Sequence, residues 1–251
     1  MRLKRLVKLN DLNAYNCEAA DGKIGPYGDI YFDASRFAVR FLVVNTQEWL
    51  TGRKVLLSPF TIGTIDEQNQ LIYIELDRQQ IRNSPPLGAD QPVTRRYEEQ
   101  YFKYYGWPPY WDNISWPHTR LLRASSISAT RPNRSLPSHS ENHLHRASQI
   151  LGYGVAVAEG RIGKLSDFVI DTHYWVIRYM EIDTRNYLNS KKYALITPSM
   201  LLGIDWPEKD ISVDVSRKTM QNAPPYDVNK PISRDYESRL LNYYGEVNYW
   251  K

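Results

Sequence analysis

Residues 22–44 read GKIGPYGDIYFDASRFAVRFLVV, and 138 positions later residues 160–182 read GRIGKLSDFVIDTHYWVIRYMEI. Gly22-Lys23-Ile24-Gly25 thus returns as Gly160-Arg161-Ile162-Gly163, Asp29 and Asp33 return as Asp167 and Asp171, and Arg40 returns as Arg178. Behind one inserted residue the spacing becomes 139: Asn83, Pro85 and Pro86 recur as Asn222, Pro224 and Pro225, and Arg95-x-Tyr97-Glu98 as Arg234-x-Tyr236-Glu237. The tails follow suit, with Tyr104-Tyr105-Gly106 and Tyr110-Trp111 answered by Tyr243-Tyr244-Gly245 and Tyr249-Trp250. So many coincidences in register mark a duplication. The expected organisation is a first module over 1–111, a linker over 112–146 and a second module over 147–251.

Within each copy the apolar pattern is that of half-buried strands. Ile30 and Phe32 alternate with Asp29, Tyr31 and Asp33, and Phe37, Val39, Phe41 and Val43 alternate with Ala38, Arg40, Leu42 and Val44, the period of two that a pleated strand imposes. Gly22-x-x-Gly25 reads as a turn, and Asp33-Ala34-Ser35-Arg36 as a second one. A turn centred on Ala34-Ser35 sets Asp29 opposite Arg40, and one centred on Thr172-His173 sets Asp167 opposite Arg178. These four residues are expected to form two cross-strand ion pairs. After the strands come two short helices per copy. The first runs over Asp77–Ser84 with Asp77 as its cap, repeated over Ser216–Ala223; the second runs from Thr94 to Gly106, repeated from Ser233 to Gly245.

Bulk composition narrows the class. With 42% hydrophobic and 24% charged residues the chain has enough apolar surface for real cores, which excludes wholesale disorder. Its single cysteine, Cys17, forms no intramolecular disulfide, and no leader-like segment opens the chain, so a cytoplasmic location is expected. No apolar run approaches the roughly 20 residues of a spanning helix, and no membrane insertion is expected. Most of the net charge of +4 gathers between 112 and 146, where five arginines face only Asp112 and Glu141. That segment is rich in Ser, Arg, Asn, His and Pro without an apolar period and reads as flexible.

The ordered set Gly-Lys-Ile-Gly, Asp-x-x-Phe-Asp, Phe37 to Val44 and Trp49-Leu50-x-Gly52-Arg53-Lys54-Val55-Leu56-Leu57-Ser58-Pro59 resembles the PRC-barrel family. The second copy carries it through Trp175-Val176-Ile177-Arg178-Tyr179, Asp183-Thr184-Arg185, Lys191-Lys192 and Thr197-Pro198. That family covers the cytoplasmic domain of the photosynthetic reaction-centre H subunit and the C-terminal domain of the ribosome maturation factor RimM. The resemblance implies a mainly β fold, two small antiparallel PRC-type β-barrels in tandem, each followed by short helices and an aromatic tail. It also implies docking on a protein partner, with no chemistry of its own.

Candidate sites are few. The aromatic tails, Tyr104, Tyr105, Trp107, Tyr110 and Trp111 with Tyr243, Tyr244, Tyr249 and Trp250, have the residue types that recur at interfaces, or else fold back to cap a barrel. Asp29 and Asp167 as acid–base carboxylates are set against the ion-pair reading, which is preferred. His139, His143 and His145 lack the second carboxylate and cysteines of a metal site, and Cys17 lacks a companion base. No phosphate loop, dinucleotide fingerprint or hydrolase elbow is present, so neither catalysis nor a cofactor is expected. The expected function is a non-enzymatic interaction or scaffold protein, homo-oligomerisation being open. The alternatives are a soluble assembly or electron-transfer accessory resembling the photosynthetic reaction-centre H subunit, and RNA or ribosome-maturation binding through the basic linker. Nucleic-acid binding ranks low because the modules lack a positive groove.

Overall fold

The computed structural model describes residues 6–46, 49–50, 53–88, 91–111, 144–188 and 192–250. The fold is mainly β. The front half holds β1 (Leu6–Lys8), β2 (Asn16–Ala19), β3 (Gly22–Asp33), β4 (Ala38–Asn45), β5 (Lys54–Leu57), β6 (Ile62–Asp66) and β7 (Leu71–Ile74), then α1 (Arg78–Asn83) and α2 (Arg95–Tyr104). The rear half opens with β8 (Leu144–Arg146) and the short helix α3 (Ala147–Ile150). It continues with β9 (Gly154–Val157), β10 (Gly160–Asp171), β11 (Val176–Asp183), β12 (Tyr193–Ile196), β13 (Leu201–Asp205) and β14 (Asp210–Val213), and ends with α4 (Arg217–Asn222) and α5 (Arg234–Tyr244). Each front strand has a rear counterpart of equal length, 138 residues on for β1 to β4 and 139 for β5 to β7.

Helix ends follow local chemistry. Asp77 accepts from the Gln80 backbone N–H at 2.6 Å while the Gln80 side chain accepts from the Asp77 N–H at 2.9 Å, a reciprocal cap. Thr94 and Ser233 cap α2 and α5, and Gly245, in the left-handed region at φ 72°, ends α5. The strands run β13-β14-β9-β10-β11-β4-β3-β2-β7-β6 in one mixed sheet, with β12 on β11 and β5 on β4. Two pairings, β2 with β7 and β9 with β14, are parallel, so the sheet is not antiparallel throughout. It is not closed either: no ladder joins β5 to β6 or β12 to β13 among the described residues.

Three expectations need correction. Gly22-x-x-Gly25 is not a turn; the chain turns at Ala20-Asp21 and both glycines lie in β3. Gly25 is required there because a Cβ would fall 1.8 Å from the Asn45 carbonyl oxygen, a backbone approach that a side chain would block. The hairpins, secondly, take another register. Their turns are four residues long, with Phe37 and Trp175 at φ 53°, a region that bulky residues rarely enter. Phe32 faces Val39 but Tyr31 faces Phe41, so Arg40 is the extra residue of a β-bulge, as Arg178 is between Val169↔Tyr179 and Ile170↔Ile177. A bulge re-aims the side chain it contains. Asp29 consequently faces Val43, and Asp167 faces Glu181; the Asp29–Arg40 and Asp167–Arg178 pairs do not form. Thirdly, residues 144–146, expected in the linker, form β8. The flexibility expected of 112–143 concerns residues outside those described.

The halves are joined by exchange. β1 pairs with β10 of the rear half, through Leu6↔Asp171, Val7↔Ile170 and Lys8↔Val169. Its counterpart β8 pairs with β3 of the front half, through Leu144↔Asp33, His145↔Phe32 and Arg146↔Tyr31. Each half therefore lends its first strand to the other. Between them β4 meets β11 at Ala38↔Val176, where Val39 N–H donates to Trp175 O and Ile177 N–H donates to Phe37 O, both at 2.8 Å. Since 37, 38 and 39 correspond to 175, 176 and 177, this seam is a local two-fold axis. The left-handed Phe37 and Trp175 carry the two accepting carbonyls.

Packing follows from this arrangement. One buried cluster takes Ile24, Ile30, Phe32, Leu42 and Leu57 from the front and Ile162, Phe168, Ile170 and Ile182 from the rear, with the Phe32 and Phe168 rings 5.5 Å apart. The other face of each half's strands is covered by that half's own second helix. Tyr97, Tyr101 and Phe102 of α2 lie on Tyr31, Phe41, Val43 and Leu56, joined by Leu144 of the lent strand. Leu144→Ala is expected to cost about 2–5 kcal/mol, the usual range for a buried leucine, in urea denaturation. Amide exchange should then rise first in β3 of the front half, whose Asp33 faces Leu144 from 111 residues away in sequence; a loss confined to β9–β14 would contradict the exchange.

Candidate functional site

The bulged arginines build the same polar chain in each half. In the front half Arg40 reaches back to Asp33 at 3.5 Å, and Asp33 closes its own turn by accepting from the Ser35 N–H and hydroxyl at 2.9 and 2.6 Å. The guanidinium of Arg40 lies 3.7 Å above the Tyr110 ring. The Tyr110 hydroxyl donates to buried Glu98 at 2.7 Å, and Glu98 pairs with Arg95 at 3.1 Å, which in turn covers the Trp111 ring at 3.9 Å. The rear half repeats this link by link. Asp171 holds Arg178 at 3.3 Å, Arg178 lies 3.8 Å over Tyr249, Tyr249 donates to Glu237 at 2.6 Å, and Arg234 joins Glu237 at 2.7 Å and covers Trp250 at 4.2 Å. Buried Glu237 also accepts from the Tyr179 hydroxyl at 2.9 Å. Cation over ring and carboxylate under hydroxyl together tie hairpin, second helix and tail into one unit.

The aromatic tails therefore fold back on their own halves. Trp107 stacks on Tyr105 at 4.7 Å and packs against Phe60 and Phe102, while the Tyr244 hydroxyl donates to Leu195 O at 3.0 Å. Tyr104 and Tyr243 are each 40% exposed, yet each is oriented by a donated hydrogen bond, to Gln80 O and Thr219 O at 2.9 Å. These two present open aromatic surface; Tyr105, Trp107, Tyr110, Trp111, Tyr244, Tyr249 and Trp250 are at least partly covered.

Asp29 and Asp167 serve the exchange instead of the hairpins. Asp29 accepts from the Ser148 N–H at 3.3 Å and its hydroxyl at 2.6 Å, fastening the start of the rear half to the front. Asp167 accepts from the Asn10 N–H at 3.2 Å, at the equivalent position. Sequence spacing flagged both aspartates but not their partners, because the partners lie in the other half. Around Asp167 the halves then differ. Glu181, Tyr226 and Ser166 occupy places that Val43, Leu87 and Gly28 hold in front. Glu181 is buried and accepts from the Ser166 and Tyr226 hydroxyls at 2.8 Å each, and Lys8 of the N-terminal arm pairs with it at 2.8 Å. Burial, aided by the Glu181 charge, pushes the Asp167 carboxyl up to about 7, while the N–H donors of Phe168 and Asn10 and the charge of Lys8 oppose the shift.

The other candidates lie apart from these networks. Cys17 is fully buried, which pushes its thiol up to about 12 and keeps it protonated. His145 sits in β8 with its ring stacked on Trp206 at 3.8 Å; His139 and His143 lie outside the described residues. Among the described residues no three His, Cys, Asp or Glu side chains converge to hold a metal ion, and no helix is long and apolar enough to cross a membrane. A groove of about 430 Å³ at the C-terminal ends of β9 and β14 is lined by Val157, Leu202 and Val213 among others, and none of the recurring charged residues lines it.

Glu237→Gln removes a charge that three donors share, so it is expected to cost about 1–3 kcal/mol in urea denaturation and to loosen the tail around Trp250, read by its fluorescence. A change below about 0.5 kcal/mol, typical of an exposed site, would contradict the role given to the network. No family model matches the chain, and no curated protein matches it.

Proposed function

We propose that this chain is a non-enzymatic docking scaffold made of two PRC-type barrel copies, acting in the cytoplasm on a protein partner. The observation that carries this reading is where the recurring charged residues go. Asp33, Arg40, Arg95 and Glu98, with Asp171, Arg178, Arg234 and Glu237, hold turn, helix and tail together. Asp29 and Asp167 fasten the lent segments. Residues selected for reaction chemistry converge on a space where a substrate sits; these converge on one another. The barrel part of the proposal rests on the ordered motif set and on strands β2 to β7 and β9 to β14 following the same strand order in each half.

A scaffold needs outward-facing surface with contact value. Tyr104 and Tyr243 supply it at equivalent places, ordered by their own hydrogen bonds and large enough to act as anchors. The test is cross-linking of the full chain in its native cells, followed by purification at low and high salt with and without ribonuclease. A protein recovered in near-equal amount under all four conditions, and lost when Tyr104 and Tyr243 are both changed to Ser, is the expected result. Recovery of the chain alone would contradict the proposal. Material released by ribonuclease or by salt would instead support nucleic-acid binding through the basic segment, since phosphate contacts weaken steeply with salt.

A further inference from the structure

The N-terminal arm, β1 with Leu9 and Asn10 behind it, is bonded to the rear half beside two buried carboxylates that share a single ammonium. Asp167 and Glu181 face each other across β10 and β11, and they are 1% and 3% exposed. Like charges so placed repel. Lys8 is committed to Glu181 at 2.8 Å, together with the Ser166 and Tyr226 hydroxyls. Asp167 is left with two backbone donors on Oδ1, from Phe168 and Asn10, and its buried Oδ2 has no hydrogen-bond partner. The titratable groups facing it are Glu181 from β11, Lys8 from the arm, Tyr226 from the segment after α4, and Tyr27 from β3, whose phenol feels the Asp167 charge. Of these only Lys8 brings a positive charge.

The front half shows that this shortage is not built into the exchange. There Ser148 stands where Asn10 stands behind, and it serves both oxygens of Asp29; the residue opposite is Val43, which carries no charge. The rear latch thus holds one carboxylate more than its cations can neutralise, and a proton is the neutraliser at hand.

We propose that the N-terminal arm is a proton-coupled latch, docking on the rear half more tightly when the Asp167 carboxyl carries a proton. Departure of the arm lets water reach Asp167 and relieves the burial that outweighs the lowering by Lys8 and the Asn10 N–H, so its carboxyl falls from about 7 in the docked state towards its ordinary value of 3.8. Docking therefore takes up a proton between those values. Its advantage is complete below the lower one and is lost as pH rises through the upper one, with one proton giving about tenfold in the equilibrium per pH unit.

Native-state hydrogen exchange of the full chain between pH 5 and 8.5 tests this. Protection factors for the amides of residues 7–10, with the intrinsic pH dependence of exchange divided out, give the arm's opening constant. The expected result is an opening constant that rises about tenfold per pH unit up to about pH 7 and then levels. Asp167→Asn, which keeps the Oδ1 acceptor without the charge, should flatten the profile. Glu181→Gln should move the levelling point to lower pH. An opening constant independent of pH in the parent chain, or an unchanged slope in Asp167→Asn, overturns the proposal. If Asp167→Asn fails to fold, a levelling point left in place by Glu181→Gln overturns it equally.

Discussion

Backbone pairing of β1 with β10 and of β8 with β3 is the constraint on which the rest of the molecule depends. Each half presents the upper part of its longest strand with one edge unsatisfied, and an unpaired buried N–H or C=O costs free energy comparable to a lost hydrogen bond. The other half fills that edge. The lent segments also carry Val7 and, just behind β1, Leu9 into the shared cluster and Leu144 into the outer one. Burying an aliphatic side chain of this size stabilises by roughly 1.5–3 kcal/mol, so the arms contribute to packing as well as to pairing. The single register pair at the Ala38–Val176 seam is small beside them.

From that exchange the polar architecture follows. An arm that crosses to the other half needs a fastener where it turns back, and Asp29 and Asp167 provide it. A hairpin that ends at the seam needs its turn held open and its carbonyls aimed across the axis. The left-handed Phe37 and Trp175 do the aiming, and Asp33 and Asp171 brace the turns by accepting local backbone N–H groups. The bulged arginines carry that bracing outward to the helix and tail. Asp29, Arg40 and Glu98, like Asp167, Arg178 and Glu237, are each therefore a link between two elements of the fold.

Much of this was legible in the amino-acid sequence and some was not, for identifiable reasons. Strand positions, helix caps and the correspondence of the halves rest on local periodicity and cap chemistry, which act within a few residues. The hairpin register failed because a bulge and a left-handed aromatic change it without altering the apolar pattern; both faces are buried from Ile30 to Asp33 and over most of β4, so alternation gave no warning. The exchange was hidden because Leu6-x-Lys8 and Leu144-x-Arg146 are too short to show a period. Residues 144–146 also stand next to a segment of linker composition. The partners of Asp29 and Asp167 lie 119 and 157 residues away, a separation that no local pattern reports.

Disulfide trapping tests the reciprocal exchange most directly. Val7 faces Ile170 of the rear half, whereas a chain whose halves kept their own first strands would set Val7 against Phe32, the equivalent of Ile170. Cys17 is buried and protonated and stays out of the reaction. In monomeric protein, the double variant Val7→Cys with Ile170→Cys should form an intramolecular bond under mild oxidation, and Val7→Cys with Phe32→Cys should not. The reverse pattern would contradict the exchange and the architecture built on it.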